Sequence, residues 1–120
     1  MDILYSNKMG KQEIRNLEET QRESSKRTKW ILDNRENLIA GLRQEGFPVG
    51  QIETIGSVAA GRAVTKSDID LLVRMQPEES WSTAQFEKIA PMVLTKVAGD
   101  RDGGVPFPVQ FWQRAWNDRR

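Results

Sequence analysis

The sequence predicts an α+β domain, a short mixed β-sheet with helices packed on one side of it and a long N-terminal helical region. Two observations carry this. Apolar residues recur at helical spacing in two segments, 28–45 and 82–99, and at strand-like spacing in three short ones, near 51–56, 68–75 and 105–112. Joined in order, the segments read helix, helix, strand, short helix, strand, helix, strand. At 120 residues the chain is one domain, large enough for a modest core.

Residues 1–26 are polar and highly charged, and only Ile14 and Leu17 are spaced for a helical face. They are expected to form an N-terminal helical extension, with a helix from about Lys8 to Arg22 that buries little. It is either solvated or a dimer or partner contact through Ile14 and Leu17. Residues 27–120 then form the domain proper. Its first helix spans Thr28–Glu45, with Ile31, Leu38, Ile39 and Leu42 on one face and Trp30 beside them. Gly46 and Pro48 supply the stop, a left-handed cap followed by a residue that cannot continue a helix. Whether the two helices join into one rod is open, since Ser24 and Ser25 either cap a new start or ride on the surface.

Gln51–Gly56 is the first strand, and a second runs to about Met75. Pro77 to Ser80 is a loop. Ser82-x-x-Gln85 is a capping box opening a third helix, whose inner face is Phe86, Ile89, Ala90, Val93 and Val97. Pro91 is expected to kink or split that helix, and Gly99 to end it. In the last strand, Val105–Trp112, Pro106 and Pro108 imply an edge position or a late start at Val109. A short polar tail follows, carrying Trp116.

Composition narrows the chemistry. With 18 basic against 17 acidic residues, no global field favours nucleic acid or a membrane. There is no cysteine, which removes disulfides and thiolate zinc sites and fits a reducing cytoplasm. There is no histidine either, which excludes a Ser-His-Asp triad and a His general base. No apolar run is long enough to span a bilayer. Catalysis, if present, runs on carboxylates, hydroxyls, Lys or Arg, and metal.

The residues for such chemistry lie in one stretch, 55–73. Asp68 and Asp70, two apart on a strand, leave the same face and repel each other unless a cation lies between them. An oxygen-only pair suits Mg²⁺, which leaves its other positions to water and phosphates. Upstream, Gly56 and Ser57 offer close backbone approach, a hydroxyl and the amides of a helix start, which together suit a phosphate. Arg62 and Lys66, in the intervening turn, either touch phosphates or are solvated. Ser67 is better placed to cap the turn than to act as a nucleophile, because no base is at hand to activate it. Trp81, Trp112 and Trp116 are read as core or interface rather than base-stacking residues.

Gly-Ser-x-Ala-x-Gly-x-Ala followed by Ser-Asp-Ile-Asp-Leu-Leu-Val, from Gly56 to Val73, resembles the signature of the minimal nucleotidyltransferases of the DNA polymerase β superfamily. One departure is Ala60, where many relatives carry Arg. The resemblance implies a small nucleotidyltransferase fold and transfer of a nucleoside monophosphate from an NTP, ATP in the first instance, to an acceptor hydroxyl. It further implies a two-ion Mg²⁺ site with Asp68 and Asp70 as ligands, and phosphate contacts from Gly56 and Ser57. It also implies a third acid in an apolar-Asp-apolar strand, which binds the second ion and activates the acceptor. The matching segment is Phe107-Pro108-Val109-Gln110-Phe111, so Gln110 stands where that Asp is expected. Glutamine keeps one neutral acceptor oxygen but cannot act as a base, so the second ion and the transfer step should both suffer. Asp100, Asp102 and, more weakly, Glu53 are alternative sources of the acid.

Small members of this family often pair with a HEPN-type helical protein in toxin–antitoxin modules, so the resemblance implies such a partner or a homodimer, with an acceptor that could be a protein. The competing reading is a catalytically inactive binding module that keeps the fold and works through a partner protein.

Overall fold

The computed structural model describes residues 11–76, 81–99 and 104–115. Lys11–Gln44 form one unbroken helix, α1, so the two expected N-terminal helices are a single rod that passes through residue 26 without a break. Ser24 and Ser25 do not interrupt it, because the Ser24 hydroxyl bonds to a distant backbone amide and caps no new start. Ile31, Leu38 and Leu42 are buried, as their spacing requires. The rod ends where glycine permits: Gly46 has φ 95°, and the Phe47 amide donates back to the Leu42 carbonyl at 3.1 Å.

Burial in the N-terminal half of the rod differs from expectation. Leu17 is exposed, but Glu23, Ser24 and Arg27 are as buried as the core. The cause is polar: Ser24 and Arg27 bond to backbone groups of the 63–67 turn, where an apolar face would have had nothing to satisfy them, and Glu23 pairs with Arg27.

Strands β1 (Val49–Ile55), β2 (Ile69–Met75) and β3 (Val109–Ala115) form a sheet in the order β1-β2-β3. β1 and β2 are antiparallel, joined through a four-residue helix, α2 (Gly56–Ala59). β2 and β3 are parallel, which demands a long crossover, and α3 (Thr83–Ala98) supplies it. β3 starts at Val109 and lies at the edge, as Pro106 and Pro108 require. The Ser82 hydroxyl accepts from the Gln85 amide and caps α3. Pro91 lies inside α3 without splitting it. A mid-helix proline costs about 3 kcal/mol, and Phe86, Ala90, Val93 and Leu94, buried on both sides of it, hold the helix on the sheet.

The core lies between one sheet face and the two long helices. Ile69, Leu71, Val73 and Met75 are fully buried on that face. Phe86 packs edge-on against Phe47 and Phe111, with ring centroids 5.3 and 6.0 Å away. Period-two alternation therefore sends Asp70 to the opposite face. Among the described residues no helix is long and apolar enough to cross a membrane. The 77–80 loop, the side chain of Ile14, and Trp116 lie outside the described residues.

Candidate active site

Asp70 is the centre of the arrangement. It pairs with Ile55 across the antiparallel ladder and with Gln110 across the parallel one, so β1 and β3 flank it. Asp68, one residue ahead of β2, is exposed. Its neighbour Ile69 is pinned by a 2.7 Å hydrogen bond from its amide to the Pro108 carbonyl, which keeps this end of the parallel ladder in register.

Gly56 turns the chain out of β1 beside Asp70, with φ 73°. A Cβ built there would lie 2.5 Å from Asp70 Oδ2, so the carboxylate rests against bare backbone. Only glycine satisfies both the left-handed φ and this approach. Ser57 follows on α2, which no side chain caps, so the first-turn amides lack helical acceptors and suit an incoming anion. Gly56 and Asp70 are thus in contact, with Ser57 and Asp68 near them in the chain. Arg62 and Lys66 are exposed in the turn between α2 and β2; the Arg62 amide donates to the Ser57 carbonyl. Ser67 caps the turn by accepting from the Val64 amide at 2.8 Å.

Gln110 is exposed and lies on the same sheet face as Asp70. Two residues on, Trp112 donates its indole N–H to Asp70 Oδ1 at 3.2 Å. It is not core: 45% of its surface is open. Glu53 is committed elsewhere, accepting from Arg74 at 2.8 Å and from Gln51 at 2.7 Å. Asp100 and Asp102 lie outside the described residues. No group of three or more carboxylates gathers among those described. The donor set of two acids and one amide fits a single divalent ion that shares its remaining positions with phosphate oxygens. It does not supply a charged ligand set for a second.

Residues that sequence reasoning missed hold the turn leading to Asp68. Arg27, 1% exposed, donates from Nε to the Ser67 carbonyl (3.2 Å) and from Nη2 to the Thr65 carbonyl (3.1 Å). Its Nη1 meets Glu23 Oε1 at 2.7 Å, and its guanidinium lies 4.5 Å from the centre of the Phe107 ring. Ser24 Oγ accepts from the Ala63 amide. Glu19 accepts from both the amide and the hydroxyl of Thr65, which hold its carboxyl below its ordinary value. A signal was present: stepping back by four from Ile31 along the helix gives Arg27 and Glu23.

No curated protein and no solved structure matches the chain. The family model described as a nucleotidyltransferase domain matches residues 35–99, more than half of the 120 residues. That span contains the Gly-Ser turn and both acids and stops short of β3 and Gln110. With the signature turn and acids assembled at one end of a small mixed sheet, the chain belongs to the nucleotidyltransferase domain family.

Proposed function

We propose that the protein binds an NTP with Mg²⁺ and transfers its nucleoside monophosphate to an acceptor hydroxyl, with catalysis weakened by Gln110. The observation that carries the reading is the packing of the Asp70 carboxylate against the Gly56 turn, which would bring an ion held by Asp70 beside phosphates held by that backbone. Asp68 and Asp70 would hold the ion, and Gly56, Ser57, Arg62 and Lys66 the phosphates. Bound Mg²⁺ would supply charge neutralisation on the triphosphate.

In the transfer, the acceptor oxygen forms a bond to the α-phosphorus, the bond to the bridging oxygen breaks, and pyrophosphate leaves. Gln110 cannot take the acceptor proton, which would pass to solvent. ATP is the nucleotide we assign. The acceptor would be a partner protein of helical HEPN type, or a second copy of the chain, in a cytoplasmic toxin–antitoxin pair.

The reading of an inactive binding module is favoured by one observation, the neutral Gln110 beside Asp70. Calorimetric titration with ATP and GTP, each with Mg²⁺ and with EDTA, tests the nucleotide site without knowledge of the acceptor. We expect metal-dependent binding that Asp70→Asn abolishes while the fold persists. Equal affinity in that variant would remove the metal assignment. Binding without turnover on any tested acceptor would favour the binding module.

A further inference from the structure

We propose that Arg27, on the N-terminal half of α1, is a positioning residue for the metal acids, an inference that rests on the function proposed above. Its guanidinium touches both segments that lead into the site. Through the Ser67 and Thr65 carbonyls it fixes the turn that ends at Asp68. Through the Phe107 ring it fixes the segment that becomes β3 and carries Gln110. Between them runs the Ile69–Pro108 backbone bond that starts the parallel ladder.

A buried guanidinium needs its donors satisfied, and this one finds acceptors only while the turn and α1 stay together. The fork geometry matters: one planar group reaches two carbonyls of the turn and a carboxylate on its own helix. Ser24 and Glu19 add bonds to the same turn at Ala63 and Thr65. The polar half of α1 therefore works as a brace for the signature turn. Small displacements of metal acids are costly, since partners behind the ligands typically contribute about 10–100-fold in metal affinity.

The test compares wild type, Arg27→Lys and the double variant Glu23→Leu/Arg27→Met. Replacing both members of a buried ion pair by apolar residues of similar volume often leaves a fold intact, and lysine keeps the charge but not the fork. Each folded variant is measured for Mg²⁺-ATP affinity by calorimetry and for amide exchange along the chain. We expect a Mg²⁺-ATP affinity loss of about 10–100-fold in variants that melt cooperatively. We also expect faster exchange at Asp68, Ile69 and Gln110, with no change at Ile52 and Val73. Wild-type affinity together with unchanged exchange in a folded variant would overturn the proposal. If wild type itself binds no Mg²⁺-ATP, the transferase reading fails. Exchange then decides the role of Arg27 alone: site-confined acceleration supports it, and unchanged or uniformly faster exchange overturns it.

Discussion

Gln110 stands directly beside Asp70 in the parallel β2–β3 ladder, on the same face of the sheet. A charged ligand for a second ion would be expected at that point, and the chain supplies a neutral amide. Gln110→Asp should therefore do two things. Without Mg²⁺ it adds a third carboxylate near Asp68 and Asp70 and should destabilise the fold by about 1 kcal/mol through like-charge repulsion. With Mg²⁺ that loss should vanish, and nucleotidyl transfer should rise by about a hundredfold, the scale of a restored acid–base group. Thermal melts with Mg²⁺ and with EDTA, plus pyrophosphate release, read both effects. A variant whose melting ignores Mg²⁺ would show that position 110 is not beside a bound ion.

Gly56 and Gly61 provide a matched pair. Both have positive φ, 73° and 72°, so alanine at either is strained. A Cβ at Gly61 meets nothing within 4 Å, whereas one at Gly56 runs into the Asp70 carboxylate. Gly61→Ala should cost about 1 kcal/mol of stability from backbone strain alone. Gly56→Ala should cost more and should also abolish Mg²⁺-ATP binding. Calorimetry and denaturant melts on the two variants separate strain from intrusion. Equal losses of binding would mean that the close approach to Asp70 has no functional role.

Much of the local backbone of the signature stretch was legible in the sequence because short-range rules govern it. The Gly56-Ser57 turn, the face of Asp70 and the late start of β3 after Pro108 depend on glycine, strand period and proline; Asp68 was expected on the same strand and instead precedes it, so strand period does not place it. What escaped reading was long-range and polar. Arg27 and Ser67 are forty positions apart, and no periodicity of apolar residues announces a bond between a guanidinium and a carbonyl. The face of α1 that looked solvated continues the core stripe with Glu23 and Arg27 in place of leucines. Trp112 is not core for a related reason, since its partner is a carboxylate on another strand.

The brace on the signature turn should give the protein a distinct acid response. Hydrogen bonds from Arg27 and then Lys26 push the Glu23 carboxyl down from 4.5 to about 2. Glu19 is lowered as well, by the amide and hydroxyl of Thr65. A depressed carboxyl contributes its full stability above its unfolded value and loses it as pH falls through the folded one. For Glu23 that window runs from about 4.5 down to about 2. Melting temperature followed across this range should fall in wild type and fall less steeply in Glu23→Gln. Parallel pH profiles would show that the ion pair does not control acid unfolding.

Trp112 offers a direct optical test of the site. Its indole N–H donates to Asp70 Oδ1, the oxygen on the side away from Gly56, and about half of the ring is open. A cation drawn to Asp68 and Asp70 competes with that donor, because one lone-pair direction cannot serve both. Mg²⁺ should therefore change the tryptophan emission in a saturable way. The chain has four tryptophans, so the signal is assigned by its loss in Trp112→Phe. Asp70→Asn, which keeps an oxygen but not the charge, should also be silent. The same competition sets the sign of the affinity change. A hydrogen bond to a charged group at a partly open position contributes about 1 kcal/mol, so Trp112→Phe should bind Mg²⁺ about fivefold more tightly. Weaker binding in that variant would reverse the assignment and make the indole a support for the ion-binding form of Asp70.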